Sequence, residues 1–224
     1  MLDQLAAHLD QIAALAPAWG FALVFLFMAI ESSFIPFPSE VVMIPAGFLA
    51  ARGELSTGVP LLDCALAVAI GTAGSLAGAY FNYYLSAKLG EPFLRKYGKW
   101  FFVKPEALDR AEELFNEYGG ATTFVCRLVP VIRQLISIPA GLSRMPLGPF
   151  TLFTSLGAGI WLAVLAGIGY SLALTAGTDM SWKELVHRGK ALVDGYLAWM
   201  VLGALLLAAA YLAASKLAMR RRAR

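Results

Sequence analysis

Residues 127–145 read RLVPVIRQLISIPAGLSRM. Arg127 and Arg133 stand in an otherwise apolar run, with Pro130 between them. Pro130 predicts a break in any helix here, because proline lacks a backbone donor and its ring crowds the preceding turn. Charged side chains beside a broken backbone at membrane depth indicate a binding site. The stretch therefore predicts a re-entrant segment over residues 122–145 that carries such a site.

An earlier stretch repeats this pattern. In each copy a proline (Pro36 or Pro130) is separated by eight intervening residues from a Pro-Ala-Gly motif, at residues 45–47 and again at 139–141. Two interrupted apolar segments in corresponding positions of two halves indicate an inverted repeat with a binding site between the halves. A chance match of so short a pattern is the competing interpretation. The residues assigned to the re-entrant turns are Pro36, Pro45, Gly47, Pro130, Pro139 and Gly141.

The composition is that of an integral membrane protein. Hydrophobic residues make up 59% of the chain and charged residues only 15%, whereas soluble domains carry roughly 25% charged residues. The 224 residues are enough for one compact membrane domain, so we predict a single domain over 1–224. The net charge of +3 is too small to indicate nucleic-acid binding.

The lengths of the apolar segments predict the order of elements along the chain. A crossing near the N-terminus comes before three complete spans, and small residues such as Gly74, Gly78, Gly167 and Gly169 predict close helix packing. The predicted segments are an amphipathic helix (1–16), a first re-entrant stretch (31–51), a span (61–87), an amphipathic connection (88–120), the second re-entrant stretch (122–145), spans at 149–176 and 191–217 with a polar connection at 177–190 between them, and a basic tail (218–224).

Basic residues predict the orientation in the membrane. Lys and Arg are concentrated between residues 88 and 110 and again at the C-terminal end, and such clusters lie on the cytoplasmic side. Both termini are therefore predicted to be cytoplasmic, and the two re-entrant stretches to enter from opposite faces. The predicted fold class is an all-α polytopic membrane protein, with transmembrane helices and two oppositely oriented re-entrant helical hairpins forming an inverted repeat.

Several of these motifs occur together in one known family. Glu31 is followed by PFPSE at 36–40 and PAG at 45–47, and residues 124–133 read FVCRLVPVIR. With Ala140-Gly141, Met145 and Phe150, they resemble the DedA family of membrane proteins, also called the SNARE-associated or VTT domain family, over about Phe21 to Tyr170. Members often have Asp, or Gly with Asp or Glu, where this chain has Ser39-Glu40.

The resemblance implies a function in lipid transport. DedA-like proteins are associated with moving lipids between leaflets, and some resemble translocases of undecaprenyl phosphate. Others are linked to phosphatidylethanolamine or are similar to scramblases, and several depend on the proton gradient. The resemblance places Glu31, Glu40, Arg127 and Arg133 at the family's functional acidic and basic positions, in the bacterial cytoplasmic membrane.

The residue types suit that chemistry without the resemblance. An arginine fork matches phosphate oxygens and stays charged, so Arg127 and Arg133 are candidates for binding one phosphate head group. Glu31 and Glu40 either pair with the arginines in the absence of lipid or take up a proton during the cycle. A purely structural interpretation remains, in which Glu–Arg pairs hold the re-entrant segments together.

Other functions were weighed against lipid translocation. A proton-coupled exporter of small cations or drugs would suit buried acids, but two arginines would repel a cation. A membrane enzyme lacks support, because neither HExxH nor GxSxG occurs and both histidines lie outside the site stretch. An assembly protein leaves the charged stretches unexplained. We therefore predict no enzymatic activity, no cofactor and no metal. The expected partners are a membrane phospholipid or polyprenyl phosphate and protons, with no nucleic acid and with homo-oligomerisation left open.

Overall fold

The computed structural model describes residues 16–33, 35, 37–97, 123, 127, 133–176, 184–195 and 202–203 of the chain. Regular secondary structure in these ranges is entirely helical, which confirms the all-α prediction for them. The chain folds as two compact units. Unit 1 comprises Met1–Gly78 and Ala158–Tyr196, and unit 2 comprises Ala79–Gly157 and Leu197–Arg224. The inverted repeat of two re-entrant hairpins stays a prediction.

Two short apolar helices begin the described part of unit 1. Helix α1 covers Ala16–Glu31 and helix α2 covers Glu40–Ala51, and the two pack against each other. Their lengths of about 24 and 18 Å fall short of a hydrocarbon core roughly 30 Å thick. Nine of the 12 residues of α2 are buried, so this helix lies in the protein interior. Because α1 ends at Glu31 and α2 begins only at Glu40, the predicted interruption after Glu31 is present.

Three further helices follow. Helix α3 covers Pro60–Tyr97, α4 covers Ser137–Leu142 and α5 covers Leu147–Ala176. The backbone of α3 is non-helical at Gly90, whose φ is 73°. The connection predicted to begin at residue 88 therefore begins with helix. Its part from residue 98 onward lies outside the described residues.

Helices α3 and α5 contain the segments long and apolar enough to cross a membrane. These are Pro60–Gly90 and Leu147–Thr175, and they agree with the spans predicted at 61–87 and 149–176. Both segments expose large apolar side chains that would be unfavourable in water and suit a lipid environment. Leu61, Leu62, Phe81, Leu152, Leu156, Ile160 and Leu174 are among them.

Helix α1 crosses α3 at a pair of glycines in unit 1. A Cβ atom on Gly74 would overlap the carbonyl oxygen of Phe25, and one on Gly78 would overlap that of Ala29. The two backbones are thus in van der Waals contact because Gly74 and Gly78, spaced as in GxxxG, have no side chains. The predicted packing role of these two residues is confirmed.

Helix α2 crosses α5 in unit 1 in a reciprocal way. A Cβ on Gly47 would overlap the carbonyl oxygen of Ala166, while one on Gly169 would overlap that of Ile44. Gly167, by contrast, has no atom of the described residues within 4 Å of the position that a Cβ would take. The predicted packing role is therefore confirmed for Gly169, and for Gly167 it stays a prediction.

The core of unit 2 forms where α4 meets α3. A Cβ on Gly141 would overlap the carbonyl oxygen of Tyr83. The hydroxyl of Tyr83 donates a 2.6 Å hydrogen bond to the carbonyl oxygen of Met145, just after α4. The contact holds the short helix against α3. The buried apolar cluster around it consists of Ala79, Tyr83, Ile136, Ala140, Met145 and Phe150.

The segment predicted as a polar connection at 177–190 is partly helical. Residues 184–195 form a helix that buries Leu185, Val186 and Val193. The connection therefore contains helix from residue 184 onward, and its polar residues suit the exposed face of that amphipathic helix. Of the predicted span 191–217, only 191–195 and 202–203 are described. The segments 1–15, 98–122 and 204–224, together with Pro36 and Pro130, lie outside the described residues.

Candidate functional site

Both site arginines are buried in unit 2. Arg127 is 3% exposed and Arg133 is 8% exposed. The Nη2 atom of Arg127 donates a 2.8 Å hydrogen bond to Oγ of Ser137, the fully buried first residue of α4. A buried guanidinium needs such acceptors, because it has lost the water that would otherwise solvate it. Ser137 thereby fixes one edge of the Arg127 fork.

The backbone between Arg133 and α4 forms a turn. Residues 133–136 are in turn conformation, and α4 begins directly afterwards at Ser137. Ile138 N donates to Leu135 O over 3.0 Å as the helix starts. Arg133 thus begins the turn, and Ser137 is the first residue of the six-residue helix that follows it. The predicted interruption of the second stretch is present in the described part.

The two site acids border the break between α1 and α2 in unit 1. Glu31 ends α1 and is 3% exposed, and Oγ of Ser32 donates a 2.8 Å hydrogen bond to its Oε2. Glu40 begins α2 and is half-buried. The break therefore has one carboxylate at each end, with the more deeply buried one at Glu31.

A tryptophan from α5 holds the residue before Glu40. Nε1 of Trp161 donates a 3.2 Å hydrogen bond to Oγ of Ser39, and both side chains are buried. Ser39 precedes the first residue of α2. Trp161 thus fixes the start of the helix that carries Glu40.

Four of the six residues assigned to re-entrant turns lie inside helices, and the other two, Pro36 and Pro130, lie outside the described residues. Pro45 and Gly47 belong to α2, and Pro139 and Gly141 belong to α4. The assignment of these four residues to the turns themselves therefore needs correction, because each lies within a helix. Proline is tolerated at the third position of α4 because the amides of a first helical turn have no intrahelical partner. Both glycines instead serve close backbone contacts.

The described site residues are divided between the two units. Arg127 and Arg133 belong to unit 2, whereas Glu31 and Glu40 belong to unit 1. Pairing between these acids and arginines stays a prediction. Arg52 is exposed beyond α2 and forms a 3.0 Å ion pair with Glu54.

Sequence reasoning missed three polar contributors, namely Ser39, Ser137 and Trp161. Each serine had a local signal, since Ser39 adjoins Glu40 and Ser137 is the polar residue just before Ile138-Pro139 in an apolar run. Trp161 had none, because it bonds a residue 122 positions away. The serines could have been proposed from the sequence as neighbours of charged groups, but the tryptophan could not.

A protein-family comparison matches the model described as VTT domain to residues 37–171, more than half of the chain. The chain belongs to the VTT domain family. This confirms the predicted membership of the DedA family. The matched range contains Glu40, Arg127 and Arg133, while Glu31 lies just before it.

Curated VTT-family relatives cover much of the chain. An alkaline phosphatase-like protein of Lactococcus lactis is 40% identical, over 68% of this chain and 70% of its own. Undecaprenyl phosphate transporter A of Staphylococcus aureus is 32% identical, over 73% of this chain and 79% of its own. The membrane protein YkoX of Bacillus subtilis is 38% identical, over 58% of this chain and 54% of its own. No solved structure matches the chain.

Proposed function

We propose that the chain is a lipid translocase of the bacterial cytoplasmic membrane. Its cargo would be a phosphate-bearing lipid, with undecaprenyl phosphate as the first choice, and its transport would be coupled to the proton gradient. The observation that carries the proposal is the burial of Arg127 and Arg133 in an otherwise apolar stretch. The similarity to a protein named undecaprenyl phosphate transporter A supports the choice of cargo. Both termini would be cytoplasmic.

The arginines would bind the phosphate of the lipid. Their planar, permanently charged forks match phosphate oxygens, and burial strengthens this attraction because less water screens it. The Ser137 hydroxyl accepts its bond from Arg127 through the oxygen, so it keeps a proton that it can donate. A phosphate beside Arg127 could therefore receive donors from both residues. The lipid tail would stay in the bilayer.

Glu31 would be the acid that couples transport to protons. Its carboxylate is 3% exposed, lies at the break between α1 and α2, and accepts a hydrogen bond from Ser32. Ionisable groups at membrane depth commonly belong to proton relays in transporters. Glu40 would act as the second acid.

The test is transbilayer movement of labelled lipid in proteoliposomes of the purified chain. Undecaprenyl phosphate and phosphatidylethanolamine are compared with and without a proton gradient. The double variant Arg127→Lys and Arg133→Lys keeps the charges but loses the fork geometry, and should lower transport at least ten-fold. Arg52→Lys is the matched control, because Arg52 is exposed, and should transport normally. Arg133→Ala serves as a second loss variant, provided that it folds.

The other outcomes each point to a different function. Movement of phosphatidylethanolamine alone would identify a phospholipid flippase or scramblase and overturn the choice of cargo. Proton flux that depends on a small cation, without lipid movement, would indicate an exporter. Release of inorganic phosphate from the lipid would indicate an enzyme and contradict the prediction that the chain has no enzymatic activity. Normal transport by the folded double lysine variant would count against phosphate binding by the arginine forks.

A further inference from the structure

The turn after α4 contains an arginine in a conformation that favours glycine. Arg144 has a φ of 50°, and within the ranges that the structure describes it is the one non-glycine residue with positive φ. This left-handed region brings the Cβ of an L-residue close to the following carbonyl oxygen, so a side chain here is disfavoured. Because this conformation costs conformational free energy, the presence of an arginine here suggests a function for the residue.

The hydrogen bonds show which turn this is. Arg144 N donates to Gly141 O over 3.1 Å, and Met145 N donates to Ala140 O over 3.0 Å. That pair of bonds defines the Schellman motif, in which the left-handed position is usually glycine. Helix α2 ends in the same motif, with Gly53 at that position and a φ of 68°. Unit 2 therefore has arginine where unit 1 has the expected glycine.

The surroundings prevent the turn from relaxing. The hydroxyl of Tyr83 holds the carbonyl oxygen of the next residue, Met145, and the Met145 side chain is buried. On the other side Gly141 lies against the backbone of α3. The Arg144 side chain itself is exposed. These contacts thus hold the turn in place, and the turn carries an exposed guanidinium.

The position of Arg144 along the chain indicates what it meets. It comes three residues before Leu147, where a candidate membrane span begins. Arginines that flank a span lie at the depth of the lipid head groups. We propose that Arg144 and its turn bind the phosphate of an anionic phospholipid at the membrane surface. This site is separate from the buried Arg127 and Arg133 and does not depend on the cargo proposed for them.

The test measures lipid affinity in nanodiscs of phosphatidylcholine to which phosphatidylglycerol is added in steps. The thermal midpoint of unfolding rises as the folded protein binds the anionic lipid, and the rise yields an affinity. Arg144→Ala and Arg144→Gly should each weaken that affinity about five-fold, the effect of one surface charge. Arg144→Lys should keep most of it. Inorganic phosphate at equal ionic strength should not reproduce the rise.

The alanine and glycine variants separate lipid binding from backbone strain. Both lack the charge, but only Arg144→Gly relieves the left-handed conformation, so it should unfold at a higher temperature than Arg144→Ala in phosphatidylcholine alone. Arg52→Ala is the control, because Arg52 is exposed but paired with Glu54, and should change the affinity less. Wild-type affinity in both uncharged variants would overturn the proposal and leave Arg144 as a helix cap. Equal thermal midpoints for Arg144→Ala and Arg144→Gly would show that the left-handed conformation is not strained, and would overturn that premise of the proposal.

Discussion

Arg127 is tied to helix α4 by a charge-assisted hydrogen bond. Its Nη2 atom donates to Ser137 Oγ over 2.8 Å, with both side chains buried. Such bonds are stronger than those between neutral groups, and a buried charge that loses one is left poorly solvated. Ser137 therefore acts as a positioning residue for Arg127.

We expect Ser137→Ala to weaken lipid binding by the chain. The Arg127 fork would lose an acceptor, at a cost of roughly 1.5–3 kcal/mol for a bond to a charged group. In proteoliposomes, the lipid concentration for half-maximal transport should rise more than the maximal rate falls.

Ser86→Ala is the matched control for Ser137→Ala. Ser86 is also a buried serine of unit 2, but its hydroxyl bonds the backbone carbonyls of Asn82 and Tyr83 in its own helix. The Ser86→Ala variant should reach half-maximal transport at nearly the wild-type lipid concentration. An equal rise in both variants would show that Ser137 contributes only to packing.

Thr154 provides a prediction about stability. Its hydroxyl is buried and has no hydrogen-bond partner in the part of the chain that the structure describes. Thr154→Val replaces this hydroxyl by a methyl group of similar size, so it should stabilise the protein by about 1 kcal/mol. The thermal midpoint in detergent micelles is the measurement.

Thr151→Val is the control one turn away. The Thr151 hydroxyl donates to Leu147 O over 2.7 Å and also bonds Tyr80. This variant should lower the midpoint. A loss of stability in Thr154→Val as well would mean that the Thr154 hydroxyl has a partner in the folded protein, such as a bound lipid or water.

At the scale of the elements, glycine contacts bring the helices together. In helix α5, Gly169 touches the backbone of α2, whereas a Cβ on Gly167 would meet no neighbouring atom within 4 Å in the part of the chain that the structure describes. Without a strong hydrophobic force between helices in lipid, such close contacts contribute much of the packing energy. The two positions are therefore expected to respond very differently to an added methyl group.

We expect Gly169→Ala to destabilise unit 1 and Gly167→Ala to be tolerated. A methyl group on Gly169 would overlap Ile44 O, so α2 must shift, at a cost of roughly 1–3 kcal/mol. The thermal midpoints of the two purified variants give the comparison. Equal losses would indicate that helix propensity or lipid packing, rather than contact with α2, governs this face.

The helices also show why the prolines predicted the helix breaks only in part. Pro130 and Pro139 indicated a broken second stretch, and α4 is indeed only six residues long. Pro45, however, lies inside α2, where the helix continues for six residues beyond it. Surrounding protein can satisfy the backbone groups that a proline frees at membrane depth. Whether a proline ends a helix there depends on neighbours distant in sequence.

At the scale of the whole molecule, each unit has a membrane-type surface. The exposed residues of α3 and α5 are largely apolar, while buried positions include polar residues such as Ser39, Ser75, Asn82 and Ser137. This distribution is expected when lipid takes the place of water around the protein. Orientation in that lipid follows from the basic residues instead.

Cysteine labelling tests the predicted orientation. In a background without Cys64 and Cys126, the variant Ser56→Cys places a thiol on the exposed loop before α3. A membrane-impermeant maleimide should label it in intact cells, because this loop is predicted to face away from the cytoplasm. Arg224→Cys should react only after permeabilisation. Labelling of both in intact cells, or of Arg224→Cys alone, would contradict cytoplasmic termini.

Local composition was enough to predict the membrane class, the spans at 61–87 and 149–176, and the DedA family, because apolar length and short motifs are properties of contiguous residues. The burial of Arg127, Arg133 and Glu31 was likewise expected from their apolar surroundings. The partners of these groups required the folded chain. Ser39 is bonded by Trp161 from 122 residues away, and Arg144 adopts its left-handed turn while Tyr83 holds the following residue. Such contacts depend on how separate helices pack, which no local pattern specifies.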